Sequence, residues 1–177
     1  AEDFDLYHRL SALGPIARID TPLLAYRRHA GGASQRYEDI MLTSARRVLA
    51  GAYAPVLGED ADAAAALVVE HLMHRQPVPD RAALARLGAV LVRLQEAFLL
   101  DQPCEAADVR LVRWTTARRW ADGARASLRS GTLTLAEALR VRPPHLGLGH
   151  AGLEELLWAR LIGRARRAAG RHQTFAA

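Results

Sequence analysis

Two groups of polar residues near the start of the sequence have the types and spacing to do chemistry. The first group is a pair of adjacent carboxylates, Glu2 and Asp3, at the start of a segment with helical periodicity. A carboxylate in the first turn of a helix is stabilised as an anion by the helix dipole, and an anionic carboxylate can accept a proton. An Asp in this position is also an ordinary helix cap, so capping is the alternative interpretation.

The second group is a polar segment that contains two glycines, residues 27–34, with the sequence RRHAGGAS. Guanidinium groups such as those of Arg27 and Arg28 bind phosphate through charge-assisted hydrogen bonds, and the ring of His29 could bind a divalent metal. The adjacent glycines give the backbone the freedom to close over a ligand. A surface histidine without a ligand is the alternative interpretation of His29.

Taken together, the two groups resemble a known family. Residues 2–10 fit the pattern ED-x-x-L-x-x-R-L, and Tyr26, Arg27 and His29 fit the start of a Y-R-x-H-x-x-S-like loop that follows a short β segment, with Ser34 two positions beyond the serine of that pattern. Both motifs, in this order and at this separation, resemble the family 2 glycosyltransferases of the GT-A fold. The resemblance covers residues 1–36, and the helical remainder of the chain carries no motif of that family.

The resemblance implies a role for each matching residue. Asp3 is expected to be the general base that removes the proton from the acceptor hydroxyl in an inverting sugar transfer, and Glu2 is expected to line the acceptor side or to hold the loop. Arg27, Arg28 and Ser34 are expected to bind the diphosphate of a nucleotide-sugar donor. His29 is expected to bind Mg²⁺ or Mn²⁺, and the acceptor would be a glycan, a lipid-linked molecule or another hydroxyl compound.

The family also has elements that do not occur in this sequence. Its nucleotide-binding strands and its Asp-x-Asp metal motif should precede residue 1. We therefore expect the 177 residues to be the C-terminal part of a longer enzyme. Alone, the chain is expected to lack a donor site, to hold no cofactor and to be inactive.

The predicted fold is mainly α: a helical bundle that follows a small α/β remnant of a GT-A-type domain. The remnant, residues 1–37, consists of a helix over residues 2–13 and two short strands over residues 16–19 and 23–26. Residues 38–177 form the helical domain. Its signals are apolar residues spaced three and four apart, an N-cap at Asp80, and capping-box spacing between Thr134 and Glu137.

Composition limits the class of protein. Half of the residues are hydrophobic, which excludes a disordered chain, and the lone Cys104 cannot form an internal disulfide. No apolar run is long enough to span a membrane. We expect a cytoplasmic protein whose C-terminal arginine cluster (Arg164, Arg166, Arg167 and Arg171) docks on protein or on an anionic membrane surface, with Trp114, Trp120 and Trp158 in helix packing.

A different class of protein is the alternative. All 24 basic residues are arginine and the net charge is +5, so the chain could be a basic, all-helical module that binds nucleic acid or a protein partner. The pair Arg118-Arg119 beside Trp120 favours this interpretation weakly, because a solvated helix face has the same pattern. No specific nucleic-acid partner is predicted.

Overall fold

A computed structural model describes residues 2–17, 19–25, 36–143 and 150–173, and it confirms a mainly α chain. The chain divides into two compact units, Ala1–Ala65 and Ala66–Ala177. A 3₁₀ turn, Gly58–Asp60, precedes the helix Ala61–Val68, and a π-helical turn, Val69–Met73, follows that helix. The described α-helices are α1 (Glu2–Ser11), α2 (Glu38–Leu57), α3 (Ala61–Val68), α4 (Arg81–Asp101), α5 (Ala106–Ser130), α6 (Leu135–Arg140) and α7 (His150–Gln173).

The two short strands of the predicted α/β remnant are not formed. Residues 16–17 and 19–25, which are the described parts of that segment, have no strand structure. An extended segment becomes a strand only when a neighbouring segment completes a ladder of backbone hydrogen bonds, and no described residues do so here. Of the remnant, the structure retains the helix α1. The domain boundary after residue 37 stays a prediction.

In the first unit, α1 contacts α2. The side chains of Ala45 and Leu49 on α2 are buried, and Arg46 pairs with Asp62 through a hydrogen bond of 3.2 Å from Nε to Oδ1. Apolar side chains between residues 6 and 24 are exposed instead, up to 84% for Leu13 and 83% for Leu24. This segment therefore has little apolar contact within the described chain.

Helix ends in the second unit follow the predicted local signals. The side chain of Asp80 accepts a hydrogen bond of 2.7 Å from the N–H of Ala83, which confirms the N-cap of α4. Before α6, the backbone N–H and the hydroxyl of Thr134 donate to Glu137 at 2.8 and 2.7 Å, and the N–H of Glu137 donates back to the hydroxyl. Hydrogen bonds from Thr134 lower the pKa of Glu137. The capping box is confirmed.

The core of the second unit is built around Trp120, which is fully buried together with Leu84 and Leu87. Gly88 allows α4 to lie close to Trp120 of α5 and to Pro143. A Cβ at this position would lie 3.3 Å from the Trp120 ring and 2.7 Å from the Pro143 ring. The prediction that the tryptophans serve helix packing is confirmed for Trp120. It fails for Trp114 and Trp158, which are 45% and 65% exposed.

Helices α5 and α7 make the most extensive contact in this unit, and they meet along small residues. Ala117, Ala121 and Ala124 on α5 and Ala159 on α7 are buried. At Gly163 of α7 a Cβ would lie 2.5 Å from the carbonyl oxygen of Leu128 and 2.8 Å from that of Arg129. Backbone atoms cannot yield as a flexible side chain can, so only glycine permits this separation of the two helices.

We expect Gly163→Ala to lower the free energy of unfolding by about 1–3 kcal/mol, because the added methyl group would force α7 away from α5. The matched control is Gly51→Ala, also inside a helix, where a Cβ meets nothing within 4 Å. This control should gain up to about 1 kcal/mol from helix propensity. Urea denaturation followed by circular dichroism compares the two, and equal or greater stability of Gly163→Ala would contradict the close contact.

Candidate functional site

The N-terminal site predicted from the sequence lies only partly within the described residues. Asp3 is exposed in the first turn of α1, and Glu2 is the first residue of that helix. The side chain of Glu2 and all of Arg27, Arg28, His29 and Ser34 lie outside the described residues. The structure therefore does not test whether these groups come together, and their roles stay predictions.

Other polar residues of α1 are engaged in local contacts. Asp5 forms an i,i+4 ion pair with Arg9, at 3.4 Å. The rings of Phe4 and His8 meet edge to face with their centroids 4.7 Å apart. These contacts stabilise α1 locally and occupy the carboxylate of Asp5, while Asp3, the predicted base, is exposed.

Metal-ligating side chains do not cluster in the described ranges: no group of three or more His, Cys, Asp or Glu that could hold a metal ion occurs there. His71 and His74 have a spacing that can serve zinc, but they are engaged otherwise. The Nδ1–H of His71 donates to the carbonyl oxygen of Gln76 at 3.0 Å, and His74 lies 3.8 Å from Glu70.

A groove of about 580 Å³ in the second unit is lined by six arginines. We call it the arginine groove. Among the described residues that line it, only Asp122 is acidic, and His71 contributes a ring. Its arginines are Arg75, Arg118, Arg119, Arg125, Arg129 and Arg166.

Helix α5 supplies most of these side chains through its periodicity. Arg118, Asp122, Arg125 and Arg129 are spaced four, three and four residues apart, which places them on one face of the helix. Arg166 comes from α7, which packs against α5. The groove therefore depends on the contact between these two helices.

Two of the arginines are held by acidic side chains. Glu155 of α7 pairs with Arg118 at 3.4 Å and also with Arg125, and Asp122 pairs with Arg125 as well. Arg118 in addition lies over the ring of Trp114, 4.9 Å from its centroid. The Nε of Arg125 is buried and has no hydrogen-bond partner. These contacts fix two guanidinium groups at the groove and leave one buried donor unused.

The other four arginines of the groove have no such partners. Arg75, Arg119, Arg129 and Arg166 are exposed, and within the described part of the chain their guanidinium groups make no ion pair or hydrogen bond. Positive charges gathered in a concave surface create a local potential that attracts anions. The groove is therefore a concave surface with an excess of positive charge among the described residues that line it.

The loop that carries Arg75 is fastened to α5. The N–H of Val78 donates to the hydroxyl of Ser127 at 2.9 Å, and the hydroxyl of Thr132 donates to the carbonyl oxygen of Val78 at 2.8 Å. Val78 and Ser127 are fully buried. Arg75 itself has a φ of 59°, a left-handed conformation that a non-glycine residue adopts only when its surroundings impose it.

Sequence reasoning missed this groove, although it singled out Arg118-Arg119 as a solvated helix face. The spacing of the basic residues on α5 was a visible signal for that face. Nothing in the sequence indicates that Arg75 and Arg166, from other elements, line the same concave surface, because that depends on tertiary packing.

Comparison with protein-family models, with curated proteins and with solved structures finds no match to this chain.

None of the helices in the described ranges is both long enough and apolar enough to cross a membrane.

The fastening of the Arg75 loop can be tested with Ser127→Ala. This change leaves the buried N–H of Val78 without an acceptor, so we expect a loss of about 1–3 kcal/mol in unfolding free energy and faster amide exchange around residues 74–80. Hydrogen exchange followed by mass spectrometry measures the loop directly. The control is Thr116→Ala, also on α5, where the hydroxyl donates to the carbonyl oxygen of Val112 within the same helix. Unchanged protection of the loop in Ser127→Ala would contradict the assignment.

Proposed function

We propose that the chain is the C-terminal part of an inverting, family 2-like glycosyltransferase, which moves a sugar from a nucleotide-sugar donor to an acceptor hydroxyl. The observation that carries the proposal is the order and separation of the two motifs, over residues 2–10 and 26–34. The local structure of the first motif is compatible with it, since α1 begins at Glu2 and Asp3 is exposed in its first turn.

In the proposed reaction, the carboxylate of Asp3 accepts the proton of the acceptor hydroxyl while the hydroxyl oxygen attacks the anomeric carbon. The bond from that carbon to the diphosphate breaks, and the nucleoside diphosphate leaves with the bonding electrons. Arg27, Arg28 and Ser34 would bind the diphosphate and stabilise the charge that develops on it. Glu2 would line the acceptor side.

A divalent metal, Mg²⁺ or Mn²⁺, belongs to the proposal through the resemblance alone. The described residues hold no group of three or more metal-ligating side chains, and on α1 the carboxylate of Asp5 is ion-paired with Arg9. They do not fit a metal site by themselves. His29, which would be the ligand from this chain, lies outside the described residues, so no step is derived through the metal.

Exposed apolar side chains in the first unit support a larger catalytic domain. Leu6, Ile16, Leu23 and Leu24 are between 43% and 83% exposed, and contiguous apolar surface of this kind usually marks a contact with other protein. In the proposal, that contact is the sheet of the GT-A domain.

The proposed setting is cytoplasmic, with the basic end of α7 against an anionic membrane surface. Arg164, Arg166 and Arg167 are exposed there, and Trp158 and Leu161 are exposed on the preceding turns of the same helix. Arginine beside exposed tryptophan and leucine on one helix is typical of an interfacial segment.

The proposal is tested with Asp3→Asn in the longer protein that carries the donor site. Loss of a general base should reduce turnover by about 10²–10⁴-fold with donor binding nearly unchanged, because the amide has the same size but cannot take the proton. Release of nucleoside diphosphate from a panel of sugar nucleotides measures turnover, and calorimetry measures donor binding.

Asp5→Asn, two residues further on the same helix, is the matched control and should keep most of the turnover. If Glu2→Gln lost turnover while Asp3→Asn kept it, the base would be Glu2. If no sugar nucleotide were consumed by the longer protein, or if both substitutions were silent, the proposed function would be wrong.

A further inference from the structure

We propose that the arginine groove is a binding site for a small phosphate-bearing ligand, in which a diphosphate or a phosphomonoester dianion is the recognised group. The groove lies wholly in the second unit. The inference therefore does not rest on the proposed sugar transfer or on any residue of the N-terminal motifs.

Charge is the first argument. Four guanidinium groups at the groove, those of Arg75, Arg119, Arg129 and Arg166, have no acidic partner among the described residues. A guanidinium group presents paired N–H donors that match two oxygens of one phosphate. Arginine as a residue type carries no information in a chain without lysine. The convergence of unpaired side chains from α5, α7 and the 74–80 loop is what points to an anion.

The size and concave form of the groove favour a small phosphorylated molecule over nucleic acid. Its volume of about 580 Å³ lies within the range of sites for small molecules, about 300–1,000 Å³. Nucleic acid is bound instead over an extended surface, with phosphate contacts spread along the backbone. The arrangement therefore favours a compact phosphorylated group over a polymer.

Preorganisation is the third argument. Arg118 and Arg125 are already positioned by Glu155, and the buried Nε of Arg125 has no partner in the described structure. Arg75 is held in a left-handed conformation by a loop whose Val78 is hydrogen-bonded to Ser127 and Thr132. The paired guanidinium groups and the Arg75 backbone are therefore ordered before binding, which lowers the entropy lost when the ligand arrives. The exposed side chains of the four unpaired arginines are ordered only on binding.

The test uses the 177-residue chain, with inorganic pyrophosphate as the probe in calorimetry at about 0.15 M salt, where non-specific attraction is screened. We expect saturable binding. The double variant Arg119→Gln/Arg129→Gln should weaken it at least about tenfold, since each guanidinium supplies charge-assisted hydrogen bonds.

The matched control is Arg110→Gln/Arg113→Gln, which removes two exposed arginines of the same helix that do not line the groove. Its affinity should stay within about twofold of the parent, because exposed charges at a distance are screened. Arg166→Gln on α7 is a second groove variant, and it should also weaken binding. Thermal unfolding by circular dichroism shows that each variant is folded.

Two further arms identify the source of the phosphate. A soluble nucleoside diphosphate tests a free ligand, and vesicles of phosphatidylcholine with phosphatidic acid, against phosphatidylcholine alone, test a lipid headgroup. Binding in either arm that is lost in Arg119→Gln/Arg129→Gln supports the site and names its source.

Three results would overturn the inference. The first is the absence of saturable pyrophosphate binding to the folded parent chain. The second is an equal loss of affinity in the groove variants and in the control. The third is binding of a single-stranded RNA oligonucleotide that pyrophosphate does not displace, which would make the groove part of a nucleic-acid surface.

Discussion

The second unit depends on the close approach of α5 and α7 at Gly163, where a single methyl group would meet two backbone carbonyl oxygens of α5. This constraint acts first on packing, because it allows the small residues Ala121 and Ala159 to be buried on the two helices. It also determines where charge is placed. With α7 seated against α5, Glu155 reaches Arg118 and Arg125, and Arg166 lines the groove that the α5 arginines form.

The same arrangement separates the arginines into two roles. Arg118 and Arg125 connect α5 to α7 through Glu155, whereas the pair of Arg125 with Asp122 lies within α5. A partly exposed pair of this kind contributes little to stability because water and salt screen it. Its larger effect is to hold guanidinium groups in one geometry. The unpaired arginines repel one another in a concave surface, and nothing in the packing of α5 requires them there. In the proposal for the groove, binding of an anion offsets this repulsion.

The features that could be predicted from the sequence are those decided within a few residues. The cap at Asp80, the capping box of Thr134 and Glu137, and the i,i+4 pair of Asp5 and Arg9 are all present, because each depends only on local backbone geometry. The prediction of two strands after residue 16 was wrong, because a strand depends on hydrogen bonds to a segment distant in sequence and not on local geometry. The three tryptophans, Trp114, Trp120 and Trp158, have the same side chain, and only tertiary packing decides that Trp120 is the buried one. The arginine groove was missed because Arg75 and Arg166 join the α5 face only in three dimensions.

Both units leave large apolar side chains exposed, and the second unit also carries the arginine groove. Between residues 6 and 24 the first unit leaves leucine and isoleucine side chains in water, a deficit that only further apolar surface can remove. The second unit buries Trp120 completely but leaves Trp158 and Leu100 65% and 88% exposed, and it carries in addition a groove lined in part by arginines that have no acidic partner among the described residues. Exposed apolar surface favours contact with other protein. A concave surface with excess positive charge attracts anions. The groove, whose arginines come from α5, α7 and the 74–80 loop, therefore lies within a unit that has a core of its own.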